Sequence, residues 1–281
     1  MFPQLYMVYA FIIALGSGVF GALLGLGGGV LLVPLLVFLL GVPIHLASGA
    51  SIIAVVATSS AATATYVKEG LTNIRLGMFL ELATTIGAVS GAFLASLTSE
   101  WVLRVVFGIS LLYATATMFL QQRRGERSRI RRRNDQLSEM LQLGGGYFDA
   151  ALGVDVTYGV GRTPLTFAVS YLAGIVSGLL GIGGGGVKVP AMNLLSGVPM
   201  KAAVATSNFM VGVTAAASAL VYMRNQCVDA FIAAPVVLGA LIGAYAGARL
   251  TNRVRGAALK NLFIVVLTIL AVRMILSGLG V

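Results

Sequence analysis

The chain has 281 residues, 58% of them hydrophobic and only 10% charged, yet its net charge is +10. Soluble domains carry about a quarter of their residues as charged side chains, so the composition excludes a soluble protein and predicts an all-α polytopic membrane protein. A single cysteine, Cys227, and a single histidine, His45, exclude a disulfide framework within the chain, a cysteine zinc cluster and a histidine-rich metal site, and no cofactor is implied.

The first ten residues, MFPQLYMVYA, lack the basic region of a cleavable signal and read as the start of the first helix. Hydrophobic segments then cover residues 5–25, 30–40, 44–66, 74–97 and 101–120, with no charged side chain before Lys68. The second segment is too short to cross: eleven residues of helix reach about 16 Å, roughly half the hydrocarbon thickness. Flanked by glycines and by Gly41-Val42-Pro43, it reads as a half-helix or a re-entrant segment. Next comes a linker, residues 121–162, with seven arginines between Arg123 and Arg133 and one acid, Glu126. In so apolar a chain this run marks a cytoplasmic loop by the positive-inside rule rather than a nucleic-acid site. Within residues 143–164 the Gly, Asp and Tyr/Val alternation predicts a short hairpin. Its Tyr147, Asp149 and Asp155 are either binding groups or ordinary turn residues, the latter being commoner.

The rest of the chain repeats the beginning. A shift of 156 residues (179 minus 23) lays LLGLGGG at Leu23–Gly29 on LLGIGGG at Leu179–Gly185, and Val33-Pro34 on Val189-Pro190. The same register pairs Gly41-Val42-Pro43 with Gly197-Val198-Pro199, then Ser51/Ser207, Thr58/Thr214, Tyr66/Tyr222, Gly87/Gly243, Gly91/Gly247 and Phe107/Phe263. Chance does not hold one register that long. The expected organisation is two homologous repeats, 1–120 and 163–281, of about five hydrophobic segments each. They make eight to ten in total, including short half-helices at 30–40 and 187–195. The basic loop of the first half is 68–75, whereas in the second it is 249–260, on the opposite side of the repeat. That asymmetry predicts inverted topology, provided each half crosses an odd number of times.

Gly181-Ile-Gly-Gly-Gly-Gly186 matches G-x-G-x-x-G formally, but a membrane segment precedes it and no acid follows before Asp229. Nucleotide binding is therefore rejected. Two readings of the glycines remain: close packing of helices through small residues, or an unwound loop whose free N–H groups open a half-helix and attract an anion. Their recurrence in both halves favours a site where the repeats meet. The candidate anion-binding residues are Gly27, Gly28, Gly29, Gly183, Gly184, Gly185 and Gly186, with Ser48, Ser51, Thr206, Ser207 and Asn208 from the segments that follow. Capping and small-residue packing explain the latter group equally. Lys188, whose counterpart is Leu32, either supplies charge to the site or snorkels to a surface. Glu81 either carries a proton or pairs with Arg75 near the surface, and the pairing is the preferred reading. No nucleophile set or carboxylate pair argues for an enzyme.

Gly178-Leu-Leu-Gly-Ile-Gly-Gly-Gly185 with Val189-Pro190, Gly197-Val-Pro-Met-Lys-Ala-Ala203, Ala205-Thr-Ser-Asn208 and the GGYFD…VTYGV stretch of the linker resemble the sulfite exporter TauE/SafE family of membrane permeases. The resemblance extends over nearly the whole chain. It implies a multi-pass permease of the bacterial or archaeal cytoplasmic (inner) membrane that moves sulfur-containing anions such as sulfite or organosulfonates. Alternating access around a central anion site, with a coupling proton as a further partner, is the expected mechanism. The competing expectations are a non-transporting scaffold or sensor acting through the basic linker, and a passive anion channel.

Overall fold

A computed structural model describes residues 3–124, 134–149, 153–250 and 257–280. The arginine run between Arg123 and Arg133 lies largely outside the described residues, as does part of the basic loop at 249–260. Five helices occupy the first part of the chain: α1 (Pro3–Leu24), α2 (Gly29–Leu40), α3 (Ile44–Lys68), α4 (Ile74–Leu97) and α5 (Glu100–Arg124). A short α6 (Gln136–Met140) and an antiparallel hairpin of β1 (Gly145–Asp149) and β2 (Val154–Tyr158) follow. Then come α7 (Thr163–Leu180), α8 (Gly185–Pro190) running into a π-helical turn (Ala191–Leu195), α9 (Met200–Arg224), α10 (Ala230–Leu250) and α11 (Ala257–Leu279). Seven of these helices are long and apolar enough to cross a membrane, and the chain is a multi-pass integral membrane protein. One face of α4 presents Met78, Leu82, Ile86, Phe93 and Leu97 outward, each at least 58% exposed, a stripe that hydrocarbon tolerates and water would not.

The helices are held by backbone approach. Lipid is as apolar as leucine, so membrane helices gain little from burying apolar area and associate through close packing of small residues. Helix α1 packs along α10, where Gly239, Gly243 and Gly247 sit on the carbonyls of Phe11, Leu15 and Val19. Helix α7 packs along α4 in the same manner, with Gly87 and Gly91 on the carbonyls of Tyr171 and Ile175. Both contacts advance together along the two chains, so each pair runs parallel. By contrast α3 and α9 run antiparallel: Gly49 meets Cys227, and the Ser59 hydroxyl donates to the Asn208 carbonyl at 2.5 Å. Helices α5 and α11 are antiparallel too, with Gly278 against Trp101 and Gly108 against Ala271.

The hairpin is docked, not free. Lys201 at the start of α9 bridges to Asp149 at 2.7 Å, Asn73 Nδ2 donates to the Leu143 carbonyl at 2.9 Å, and Tyr147 and Tyr158 pack against a core that includes Leu76, Met192 and Ala203. Asp135 ties the two ends of the linker together. Its carboxylate accepts from the Ser138 N–H at 2.8 Å, capping α6, and from the Thr163 N–H and hydroxyl at the start of α7. Burial raises the Asp135 carboxyl, but these hydrogen bonds outweigh it and hold the group below its ordinary value of 3.8.

Gly243→Val should wedge α10 from α1 and cost about 1–3 kcal/mol through overpacking. Gly16→Ala, whose added methyl meets nothing within 4 Å, should be neutral or slightly stabilising; thermal melts in detergent read both. For Asp135 the folded carboxyl is depressed, so its contribution is complete above the ordinary value and disappears as pH falls through the folded value. The difference in melting temperature between wild type and Asp135→Asn should therefore be constant at neutral pH and shrink only below about pH 3.8.

Candidate functional site

Two glycine loops meet at the centre of the bundle. Each links a long helix to a short one: Gly25–Gly28 leads from α1 into α2, and Gly181–Gly184 leads from α7 into α8. Gly27, Gly28, Gly183 and Gly184 have φ of 73°, 80°, 75° and 74°, a left-handed conformation that costs other residues about 1–2 kcal/mol each. The loops also lie against each other. A Cβ on Gly29 would come 2.9 Å from Ile182 Cα, and one on Gly185 would come 2.8 Å from Leu26 Cα. Val55 and Val211 wedge against both Gly27 and Gly183. The third helices fasten the loops: Ser51 donates to the Gly181 carbonyl at 2.9 Å and Ser207 to the Gly25 carbonyl at 3.2 Å. Tyr66 and Tyr222 donate to Ala22 and Gly178 at 3.1 and 3.0 Å.

The Gly25 and Gly181 carbonyls thus have hydroxyl partners, but several loop donors have none. Among the described residues, no backbone carbonyl accepts from the N–H groups of Gly27, Gly28 and Gly29, or of Gly183, Gly184 and Gly185. All six residues are buried. Two buried hydroxyls beside the loops, Ser17 and Ser177, also have no partner. The Ser17 carbonyl abuts Gly28, and the Ser177 side chain abuts Gly184. Such groups inside a membrane protein belong where a polar guest or water is received. The space beside them is small in this conformation, a cavity of about 10 Å³ against Gly184 and Gly186, room for no more than one water.

The remaining sequence candidates divide. Ser48 lies against Gly181. Gly186 lines the cavity. Thr206 faces the linker end, accepting from the Asn73 N–H at 3.0 Å. Asn208 turns its Nδ2 back to the Val204 carbonyl at 3.1 Å and leaves its buried Oδ1 without a partner. Lys188 is 1% exposed and does not snorkel; its Nζ donates to Thr214 Oγ1 at 2.6 Å and lies 3.8 Å from Glu81 Oε2.

Glu81 therefore departs from the expected pairing with Arg75. Arg75 instead donates to Gln142 at 2.6 Å on the surface, while Glu81 points inward and is 6% exposed. It accepts from Thr214 at 2.6 Å, Thr84 at 2.7 Å and Thr85 at 2.9 Å. Six positions apart on a helix is not the three or four that bring side chains together, so the local partner was the wrong one. Ser17, Ser177, Glu81 and the threonines around it, Thr84, Thr85 and Thr214, are polar groups that sequence reasoning left out of the site; a hydroxyl in an apolar helix gives no signal of whether it is bonded.

A family model for "Sulfite exporter TauE/SafE" matches residues 10–274. A "Probable membrane transporter protein YunE" of Bacillus subtilis is 27% identical over 281 residues, covering 97% of this chain and 99% of the relative. A "Probable membrane transporter protein" of Xylella fastidiosa is 29% identical over 88% of this chain and 87% of its own length. The "Probable membrane transporter protein MamO" of Paramagnetospirillum magneticum is 25% identical over 94% of this chain, which spans 44% of that longer protein. No solved structure matches.

Removing one partner of a buried ion pair costs about 3–5 kcal/mol, whereas removing both together costs far less. Lys188→Met should accordingly lower the melting temperature sharply in detergent, and Lys188→Met combined with Glu81→Gln should recover most of the loss.

Proposed function

The chain belongs to the sulfite exporter TauE/SafE family, and from that premise we propose that it is a secondary transporter for small sulfur-containing anions such as sulfite or organosulfonates. The observation that carries the reading is the meeting of the two glycine loops, with their unpaired buried N–H groups and the unpartnered hydroxyls of Ser17 and Ser177 beside them. An oxyanion needs several convergent donors. The loops offer donors from both halves, at the positions the repeat makes equivalent. Gly27–Gly29 and Gly183–Gly186 would form the cradle, and Ser51 and Ser207 would set its shape through the Gly181 and Gly25 carbonyls. Ser48 would brace Gly181, with Thr206 and Asn208 completing the polar wall as the loops move.

The two halves are read as inverted repeats. The antiparallel contact of α3 with α9, and of α5 with α11, supports this, because helices related by a two-fold axis in the membrane plane run opposite ways. The basic linker is read as cytoplasmic. With so little space between the loops, the conformation is a closed one, and alternating access would separate the α2 and α8 ends to one side and then the other. A monovalent anion leaving a negative interior alone gains about 2.3 kcal/mol per 100 mV; one that crosses with a proton moves no net charge and is driven by its own gradient and the proton's.

The test is uptake of radiolabelled sulfite and of methanesulfonate into proteoliposomes preloaded with the same anion. Saturable counterflow is expected, with Gly29→Val reducing it at least tenfold because the added side chain meets Ser51 and Ile182. No counterflow for any small oxyanion would sink the transport reading, and flux through an unsaturable open path would assign a channel instead.

A further inference from the structure

The charged cluster around Lys188 draws Glu81, Thr84 and Thr85 from the first half and Lys188 and Thr214 from the second, and the positions that the repeat makes equivalent are apolar but for one. Lys188 aligns with Leu32. Glu81, Thr84 and Thr85 on α4 align with Val237, Ala240 and Leu241 on α10. Only Thr214 has a polar counterpart, Thr58, and the two threonines behave differently. Thr58 donates to the Gly27 carbonyl at 2.9 Å, securing its glycine loop. Thr214, which by the same register would secure Gly183, instead accepts from Lys188 and contacts Glu81. The second loop is therefore without the hydroxyl clamp that holds the first.

We propose that Glu81 is the proton-binding residue of the transporter, its protonation dissolving the pair with Lys188 and offering that ammonium to the anion at the second glycine loop. The inference rests on the transport reading above. The step is a simple addition: a proton from water bonds to a Glu81 carboxylate oxygen, Glu81 becomes neutral, and Lys188 is left with one uncompensated positive charge. A bare ammonium at this depth is costly, and an anion at the adjoining loop neutralises it. Proton and anion thus each favour the other's binding, by the reciprocity of linked equilibria, and a monovalent anion crosses together with one proton. Thr214, released by the neutral acid, becomes free to clamp the Gly183 carbonyl as Thr58 clamps Gly27.

No other described ionisable group competes for the role on the elements packed around the pair. On α4 Arg75 is bonded to Gln142. On α9 Lys201 is bridged to Asp149, Tyr222 is bonded to the Gly178 carbonyl, and Arg224 is exposed. On α5 Glu100 and Arg104 pair with each other and Tyr113 is exposed, as is Tyr171 on α7. The α8 segment brings Lys188 alone.

Infrared difference spectra of the reconstituted protein, recorded on acidification, test the proton site whether or not an anion is carried. Wild type is expected to gain a protonated-carboxyl band that Glu81→Gln lacks. Lys188→Met should show no gain on acidification because its unpaired acid is already neutral, the band standing instead in its absolute spectrum, and the folded Lys188→Met/Glu81→Gln variant should show the band in neither spectrum. A wild-type band that persists in either Glu81→Gln protein, or that never appears, overturns the proposal. In parallel, methanesulfonate counterflow, with an anion that does not itself titrate, should be accelerated by an inward proton gradient in wild type. That acceleration should be lost in the double variant. Acceleration that survives there also overturns it, whereas absence of wild-type counterflow alongside a titrating Glu81 band counts against the transport reading instead.

Discussion

The structure depends on backbone meeting backbone. Hydrocarbon offers no hydrophobic reward for bringing helices together, so the contacts must be dispersion and polar contacts at very short range. Glycine permits that range. Gly239, Gly243 and Gly247 bring α10 onto the carbonyls of α1, and Gly87 and Gly91 do the same for α4 and α7. These pairings cross between the first and second parts of the chain, so neither part forms its bundle from its own helices alone. A side chain at any of these glycines would act on both parts at once.

The same residue type serves a different end at the centre. Along the helices glycine removes a side chain from a crowded contact; in the loops it also permits a positive φ, which turns consecutive N–H groups away from the helix ladder. The helix-crossing glycines leave nothing unsatisfied, since their N–H groups remain in the ladder. The loop glycines leave donors unpaired. The sequence presents packing and binding as rival explanations of one motif; close packing is present in both places, and in the loops it surrounds the unpaired donors on which the proposed binding rests.

The short helices and the glycine loops were legible in the sequence because each is a matter of local composition. The segment expected at 30–40 is the helix Gly29–Leu40, and that expected at 187–195 is an α-turn followed by a π-turn. The partners of the polar groups were not legible. Glu81 and Lys188 are separated by more than a hundred residues and meet only because α4 and α8 both pack against α9. Local spacing offered Arg75, and tertiary placement overrode it. Ser17 and Ser177 were invisible for a related reason: an isolated serine in an apolar helix ordinarily bonds back to its own helix, and only coordinates reveal that these do not.

The asymmetry follows from the same contrast. If the two parts arose as copies, the plainest fate for a charge introduced at position 188 is removal, because an isolated ammonium in a membrane core is costly. It stands beside an acid and two threonines whose equivalents in the register of the repeat are apolar, and beside Thr214, whose equivalent is Thr58; each group satisfies another: the ammonium meets Thr214 and Glu81, and the carboxylate takes three hydroxyls. Replacing such an arrangement with apolar residues is generally neutral or stabilising, and the equivalent positions Leu32, Val237, Ala240 and Leu241 carry leucine, valine and alanine in this same chain. Stability therefore does not account for the cluster. What the charged version has and the apolar version lacks is a group that can change its charge, placed next to the one glycine loop whose threonine clamp is undone.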